Sequence, residues 1–139
     1  DPSIVTERVT YHDPCNVARS GWLVEAPRKI LRSFVPNFVE MTPSGRDNYC
    51  CGGGGGLVSI DEIHDFRMDV GGRTKAEQLA CTHADICIAP CANCKKQLKE
   101  LVEHYDIPCR VMGLHDLVLR ALEVPGGRPP RERSFDGAM

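Results

Sequence analysis

With 139 residues the chain is near the common size of one domain, long enough for one hydrophobic core and too short for two. Its 17 basic and 19 acidic residues leave a net charge of −2, without the basic excess that a phosphate backbone demands, which argues against nucleic acid as a partner. No apolar stretch approaches the roughly 20 residues that span a bilayer and no basic-then-apolar start resembles a signal peptide, so a soluble, cytoplasmic domain is expected.

The chain starts at Asp1 without a methionine and reaches a strand-like run almost at once, as though a partner domain preceded it. Residues Ile4 to Tyr11 alternate and are rich in β-branched side chains, predicting a strand that runs into the turn His12-Asp13-Pro14-Cys15. From Pro27 onward Ile30, Leu31, Phe34 and Val35 recur at helical spacing until Pro36-Asn37 stops them, and Phe38 to Met41 is extended. Thr42 to Asn48 reads as a polar turn. Tyr49-Cys50-Cys51 then leads into five consecutive glycines, Gly52 to Gly56, which belong inside neither a helix nor a strand.

Ser59, with Glu62 three residues on, predicts a capped helix striped by Ile60, Ile63, Phe66, Met68 and Val70, broken at Gly71-Gly72 before Arg73 to Cys81. Asp85 to Ala89 has the apolar character of a buried strand, and Pro90-Cys91-Ala92-Asn93-Cys94 opens a helix with Leu98, Leu101 and Val102 on one face. Asp106-Ile107-Pro108 closes it. Cys109 to Met112 is a fourth short strand, Leu114 to Val124 a last helix, and residues 125–139 lack any apolar period, which predicts a disordered tail after a domain of residues 1–124. Strand and helix alternate, so the expected fold is α/β, a small parallel sheet of about four strands flanked by helices.

Eight cysteines are many for this length, and two readings compete: a disulfide framework or thiolate ligands in a reducing compartment. Helix-length amphipathic segments and the adjacent Cys50-Cys51 pair favour ligands. Cys15, Cys50-Cys51 and Cys91-x-x-Cys94 all follow strands, and in parallel sheets ligands collect beyond the carboxyl ends of the strands, so three remote segments can meet at one metal-thiolate site. Neighbouring extended side chains point apart, which suits a cluster better than a single ion. Glycines Gly52, Gly53 and Gly54 let backbone N–H groups approach cluster sulfurs.

The combined pattern Cys, Cys-Cys-Gly, Cys-x-x-Cys resembles the cysteine-rich CCG domain of the heterodisulfide reductase B subunit family, over roughly Val5 to Val124. The 39 residues between Cys51 and Cys91 exceed that family's usual gap by a few, an excess assigned to the region of Gly71-Gly72. The phrases around Cys15, Cys50-Cys51 and Cys91-Ala92-Asn93-Cys94-Lys95-Lys96 are similar to a narrower group, the K subunits of the membrane complex associated with dissimilatory sulfite reductase. The resemblance implies a four-iron (4Fe-4S) cluster of non-cubane form held by Cys15, Cys50, Cys51, Cys91 and Cys94, at which a disulfide-type bond is reduced. It implies three kinds of partner: a small dithiol sulfur-carrier protein presented as a disulfide or trisulfide, a ferredoxin-like electron-input domain, and membrane quinone or cytochrome subunits holding the complex at the cytoplasmic membrane.

Other residues have plainer readings. His12 can protonate a departing thiolate near neutral pH, or it is a turn histidine bonded to Asp13 or backbone. Lys95, Lys96 and Arg19 offset cluster charge or line a solvated face; Cys81, Cys87 and Cys109 pack as small apolar side chains. His64, His83, His104 and His115 lack ligand spacing. The rival function is a zinc-binding structural module using four of the five cysteines, and a third is thioredoxin-like exchange through Cys91 and Cys94 alone.

Overall fold

The computed structural model describes residues 4–122. Four short strands, β1 (Val9–Tyr11), β2 (Phe38–Val39), β3 (Ile86–Ile88) and β4 (Arg110–Met112), form one sheet in the order β2-β1-β3-β4, every pair parallel. The register puts Thr10 beside Cys87 and Cys87 beside Val111.

Alternation along β3 divides the core. Ile86 and Ile88 join Val9, Tyr11, Leu31, Val35 and Leu117 on one face, beneath α1 (Glu25–Arg32) and α5 (Leu114–Ala121). Cys87 and Ala89 join Met68, Leu79, Leu98 and Leu101 on the other, beneath α3 (Arg73–Ala80) and α4 (Ala92–His104). Both faces are covered, which is why the strands read as continuous apolar runs. From β1 the chain passes to β2 on one side and later to β3 on the other. The direction of winding therefore reverses between β1 and β3, and a crevice opens beyond their carboxyl ends.

Several expectations need correction. The first strand is limited to its last three residues, which pair with Ile86 to Ile88 of β3; just before it, the Arg8 backbone N–H donates to the Asp85 carboxylate at 2.8 Å. Cys15–Ser20, which carries no apolar period, winds as a π-helical turn. The capped helix over 60–70 does not form. The chain instead makes 3-10 turns at Leu57–Ser59 and Asp61–Ile63, a single turn α2 (His64–Phe66) and a π-helical turn at Arg67–Gly71. The stripe fails because Phe66 and Val70 are exposed, while Met68 and the polar Arg67 are buried, Arg67 held by Gln97 and by Glu100 at 2.8 Å. Ser59 caps nothing there. Cys81, expected to pack, is exposed at the end of α3, whereas Cys87 and Cys109 are buried. Helix α5 ends at Ala121, and the predicted tail lies outside the described residues.

Candidate metal-thiolate site

Strand β1 delivers its turn under strong restraint. The His12 N–H donates to the Ile88 carbonyl at 2.9 Å, continuing the sheet by one bond. Asp13 then receives both terminal nitrogens of Arg28, at 2.8 and 2.7 Å, and the Gly45 N–H at 2.7 Å. Arg28 also grips Glu40, and these bonds, Asp13 first, hold its pKa above the ordinary value although burial opposes them. Pro14 caps the following π-helical turn, so Cys15 is set at the start of a braced corner.

The second segment is shaped by absent side chains. Gly52 sits at φ +85°, and a Cβ there would lie 2.6 Å from the Gly71 carbonyl; a Cβ on Gly53 would lie 2.7 Å from Gln97 Cβ. Only glycine permits this close approach. The Gly52 N–H donates to Cys50 Sγ at 3.3 Å. Gly54 and Gly55 line the cavity described next, while Gly52 and Gly53 pack behind it. On the third segment Cys91 is the extended N-cap of α4 and Cys94 lies in its first turn, buried.

These segments enclose a cavity of about 140 Å³ lined by Cys15, Cys50, Cys51, Cys91 and Cys94 together with His12, Asn16, Asn93, Gly54 and Gly55. Cys51 and Cys94 are buried, Cys91 is half-buried, and Cys15 and Cys50 are exposed, so the cavity has a closed floor and an open rim. Sulfur atoms of Cys51 and Cys94 stand 3.4 Å apart, and one ring nitrogen of His12 lies within 4.8 Å of both. Crowded thiols resist ionisation. The bond with Cys51, then burial, pushes Cys50 well above its ordinary value; Cys51 is pulled down by Cys50, but Cys94 and burial outweigh this and push it up to about 11. Positive charge in the cavity would reverse that penalty, because a coordinated thiol is deprotonated outright. Five soft sulfur donors around so small a space fit a cluster of thiophilic metal.

Three polar residues that sequence reasoning missed stand behind the cavity. Lys75 is fully buried and donates to Asn48 Oδ1 at 2.6 Å, to Gln78 Oε1 and towards Met41 Sδ. None of these partners is a carboxylate. Burial lowers its pKa to about 8, partly opposed by Cys87, Cys51 and Asp13. Asn48, the second, sends its amide N–H to the Asp13 carbonyl at 2.7 Å and faces His12 Nδ1 at 3.5 Å. The third, Arg28, holds the Asp13 corner. A signal for Lys75 existed: with Gln78 and Leu79 it recurs at i, i+3 and i+4 on one face of α3.

His12 itself is buried, and among the described residues its Nε2 has no hydrogen-bond partner. Burial and Lys75 pull its pKa down to about 3, so it is neutral near pH 7, and its expected partner Asp13 is committed to Arg28. An unpaired buried N–H costs about 1–3 kcal/mol. Of the other candidates, Lys96 donates to the Val58 carbonyl at 2.7 Å, Lys95 lies 3.9 Å from Asp116, and Arg19 ties its turn to the Arg46 and Asn48 carbonyls. His64, His83, His104 and His115 do not line the cavity.

A parallel α/β domain that gathers paired and single cysteines beyond its central strands has the architecture of a cysteine-rich, ligand-holding domain. Residues 9–99, which contain all five motif cysteines, match the CCG cysteine-rich domain model, and the chain belongs to that family. It is 39% identical to the Hdr-like menaquinol oxidoreductase iron-sulfur subunit 2 of Archaeoglobus fulgidus, across 91% of this chain and 24% of that protein. It is 33% identical to the D subunit of the dihydromethanophenazine:CoB--CoM heterodisulfide reductase of Methanosarcina mazei, across 85% and 28%. To the B subunit of the fumarate reductase (CoM/CoB) of Methanothermobacter marburgensis it is 37% identical, across 82% and 22%. The chain thus spans about a quarter of the length of these relatives. No solved structure matches it significantly.

Proposed function

We propose that this chain is the iron-sulfur domain of a heterodisulfide reductase-like oxidoreductase subunit, holding a 4Fe-4S cluster of non-cubane form through Cys15, Cys50, Cys51, Cys91 and Cys94. The observation that carries the reading is that all five motif cysteines line one cavity. Relatives named as iron-sulfur and heterodisulfide reductase subunits support it. When bound, such a cluster supplies one-electron transfer and a thiophilic metal.

The chain's own residues account for the rest. The Gly52 N–H holds the Cys50 sulfur, and the Arg28–Asp13 pair holds the corner before Cys15. Exposed Cys15 and Cys50 leave the rim open to a sulfur substrate, while the buried floor keeps water from Cys51 and Cys94. The reaction we infer takes two electrons and two protons to one S–S bond, releasing two thiols from a disulfide or one thiol and one persulfide from a trisulfide, or runs in reverse. The substrate is the disulfide or trisulfide of a small dithiol sulfur-carrier protein in sulfite-linked respiration. Electrons arrive from a ferredoxin-like domain, and membrane quinone or cytochrome subunits hold the complex at the cytoplasmic membrane face; among the described residues no helix is long and apolar enough to cross a membrane itself.

Anaerobic reconstitution with iron and sulfide tests this. The expected product is brown, carries several irons and acid-labile sulfides per chain, gives a paramagnetic resonance signal on oxidation, and loses both iron and signal when Cys50 and Cys51 are serine. A colourless protein binding one zinc through four cysteines would sink it in favour of the structural module. Disulfide exchange that survives the double serine change would favour the thioredoxin-like alternative.

A further inference from the structure

The buried residues behind the cysteines form a directed chain of hydrogen bonds. An ammonium group can only donate and a backbone carbonyl can only accept. Asn48 lies between one of each: Lys75 Nζ at 2.6 Å from its Oδ1 and the Asp13 carbonyl at 2.7 Å from its Nδ2. Its amide orientation is therefore forced by chemistry and is not interchangeable. The second hydrogen on Nδ2 faces His12 Nδ1 at 3.5 Å, so Nδ1 must be the bare, accepting nitrogen. A neutral imidazole has one hydrogen, and it is left to Nε2. That nitrogen is the one with no partner among the described residues, on a ring that is 1% exposed and lines the cysteine cavity.

We propose that Lys75, acting through Asn48, fixes His12 in the tautomer with its hydrogen on Nε2, making His12 a built-in hydrogen-bond donor to sulfur in the cysteine-lined cavity. The donor role rests on the metal-thiolate reading of that cavity; the tautomer does not. Lys75 and Asn48 are positioning residues, and His12 is the group that reaches the sulfur. Donation to a cluster sulfur stabilises the more reduced state, because added negative charge there is met by the N–H dipole.

The test has two arms on the full chain. With ¹⁵N-labelled histidine and the metal-free chain kept reduced, the ring nitrogens of His12 are expected to show hydrogen on Nε2 and none on Nδ1. Asn48→Asp keeps a partner for Lys75 but removes the donor, so the hydrogen should move to Nδ1; Lys75→Met frees the amide and should give a mixture. A wild-type Nδ1–H form, or one tautomer unchanged in both variants, overturns the proposal. In the chain loaded with iron and sulfide, His12→Phe should lower the reduction potential and His12→Gln, which restores an N–H, should recover most of it. Equal potentials in all three overturn the donor role while leaving the cluster reading intact. If the wild type takes up no iron and sulfide, that reading fails, and the donor role with it, whatever the tautomer.

Discussion

Cys51 Sγ and Cys94 Sγ stand 3.4 Å apart although they are 43 positions apart in the chain, and both are buried. A disulfide needs its sulfurs at about 2 Å, a short movement from this contact. When the metal-free chain is treated with diamide, which takes two electrons and two protons from a thiol pair, the first disulfide is expected to join Cys51 to Cys94. Differential alkylation and peptide mass spectrometry check this; a first bond between Cys91 and Cys94 would contradict the arrangement.

Arg28 and Asp13 are each 3% exposed, so removing one partner strands a buried charge. Arg28→Met is expected to destabilise the chain by about 3–5 kcal/mol in urea unfolding. It should also lower iron uptake, since Asp13 holds the corner before Cys15. The exposed Arg73–Glu77 pair, at 3.0 Å, is the control: solvent screens it, so Arg73→Met should leave the unfolding midpoint essentially unchanged.

The glycine run divides by surroundings. A Cβ on Gly53 would meet Val58 Cγ1 at 2.6 Å, and one on Gly52 would meet Gly71 backbone at the same distance with φ at +85°, whereas one on Gly54 meets nothing within 4 Å. Gly53→Ala is expected to cost about 1–3 kcal/mol. Gly52→Ala adds about 1–2 kcal/mol of backbone strain to a comparable clash. Gly54→Ala should stay within about 0.5 kcal/mol. Thermal midpoints of the three variants, measured side by side, decide whether this ranking holds.

Alkaline pH should weaken the metal-free fold. Burial, then Asp85, pushes Cys109 up to about 11 from an ordinary 9, and burial pushes Cys87 further. A thiol whose folded pKa is raised contributes stability that is complete below the unfolded pKa and is lost as pH rises to the folded one. The loss therefore falls between pH 9 and 11 for Cys109, at up to about 1.4 kcal/mol per pH unit for one proton. Lys75, lowered to about 8, works in the opposite sense but is one group against several thiols. Unfolding free energies across this range should fall less steeply in Cys109→Ala than in the parent chain; equal slopes would refute the assignment.

Much of the fold was legible because strands and long helices are written in neighbouring residues. β-Branched alternation before Tyr11, the apolar run at Ile86–Ile88 and the stripe of Leu98 and Leu101 all depend on contacts that repeat along the chain at a fixed period. Residues 57–71 were not legible, since their path is dictated by what packs on them: Gly52 against Gly71, Leu101 near Gly72, and Gln97 against Arg67. A local stripe could not show that Phe66 faces out and Arg67 in.

The order of residues by itself determined that strands would alternate with helices and that five cysteines would follow strand ends, because period and spacing are properties of the chain alone. Only the tertiary structure decided how deeply each sulfur lies and what stands behind it. Lys75 meets Asn48 across 27 residues, and Asn48 meets His12 across 36. Burial and hydrogen-bond direction arise where distant segments touch, and no reading of neighbours along the chain contains them.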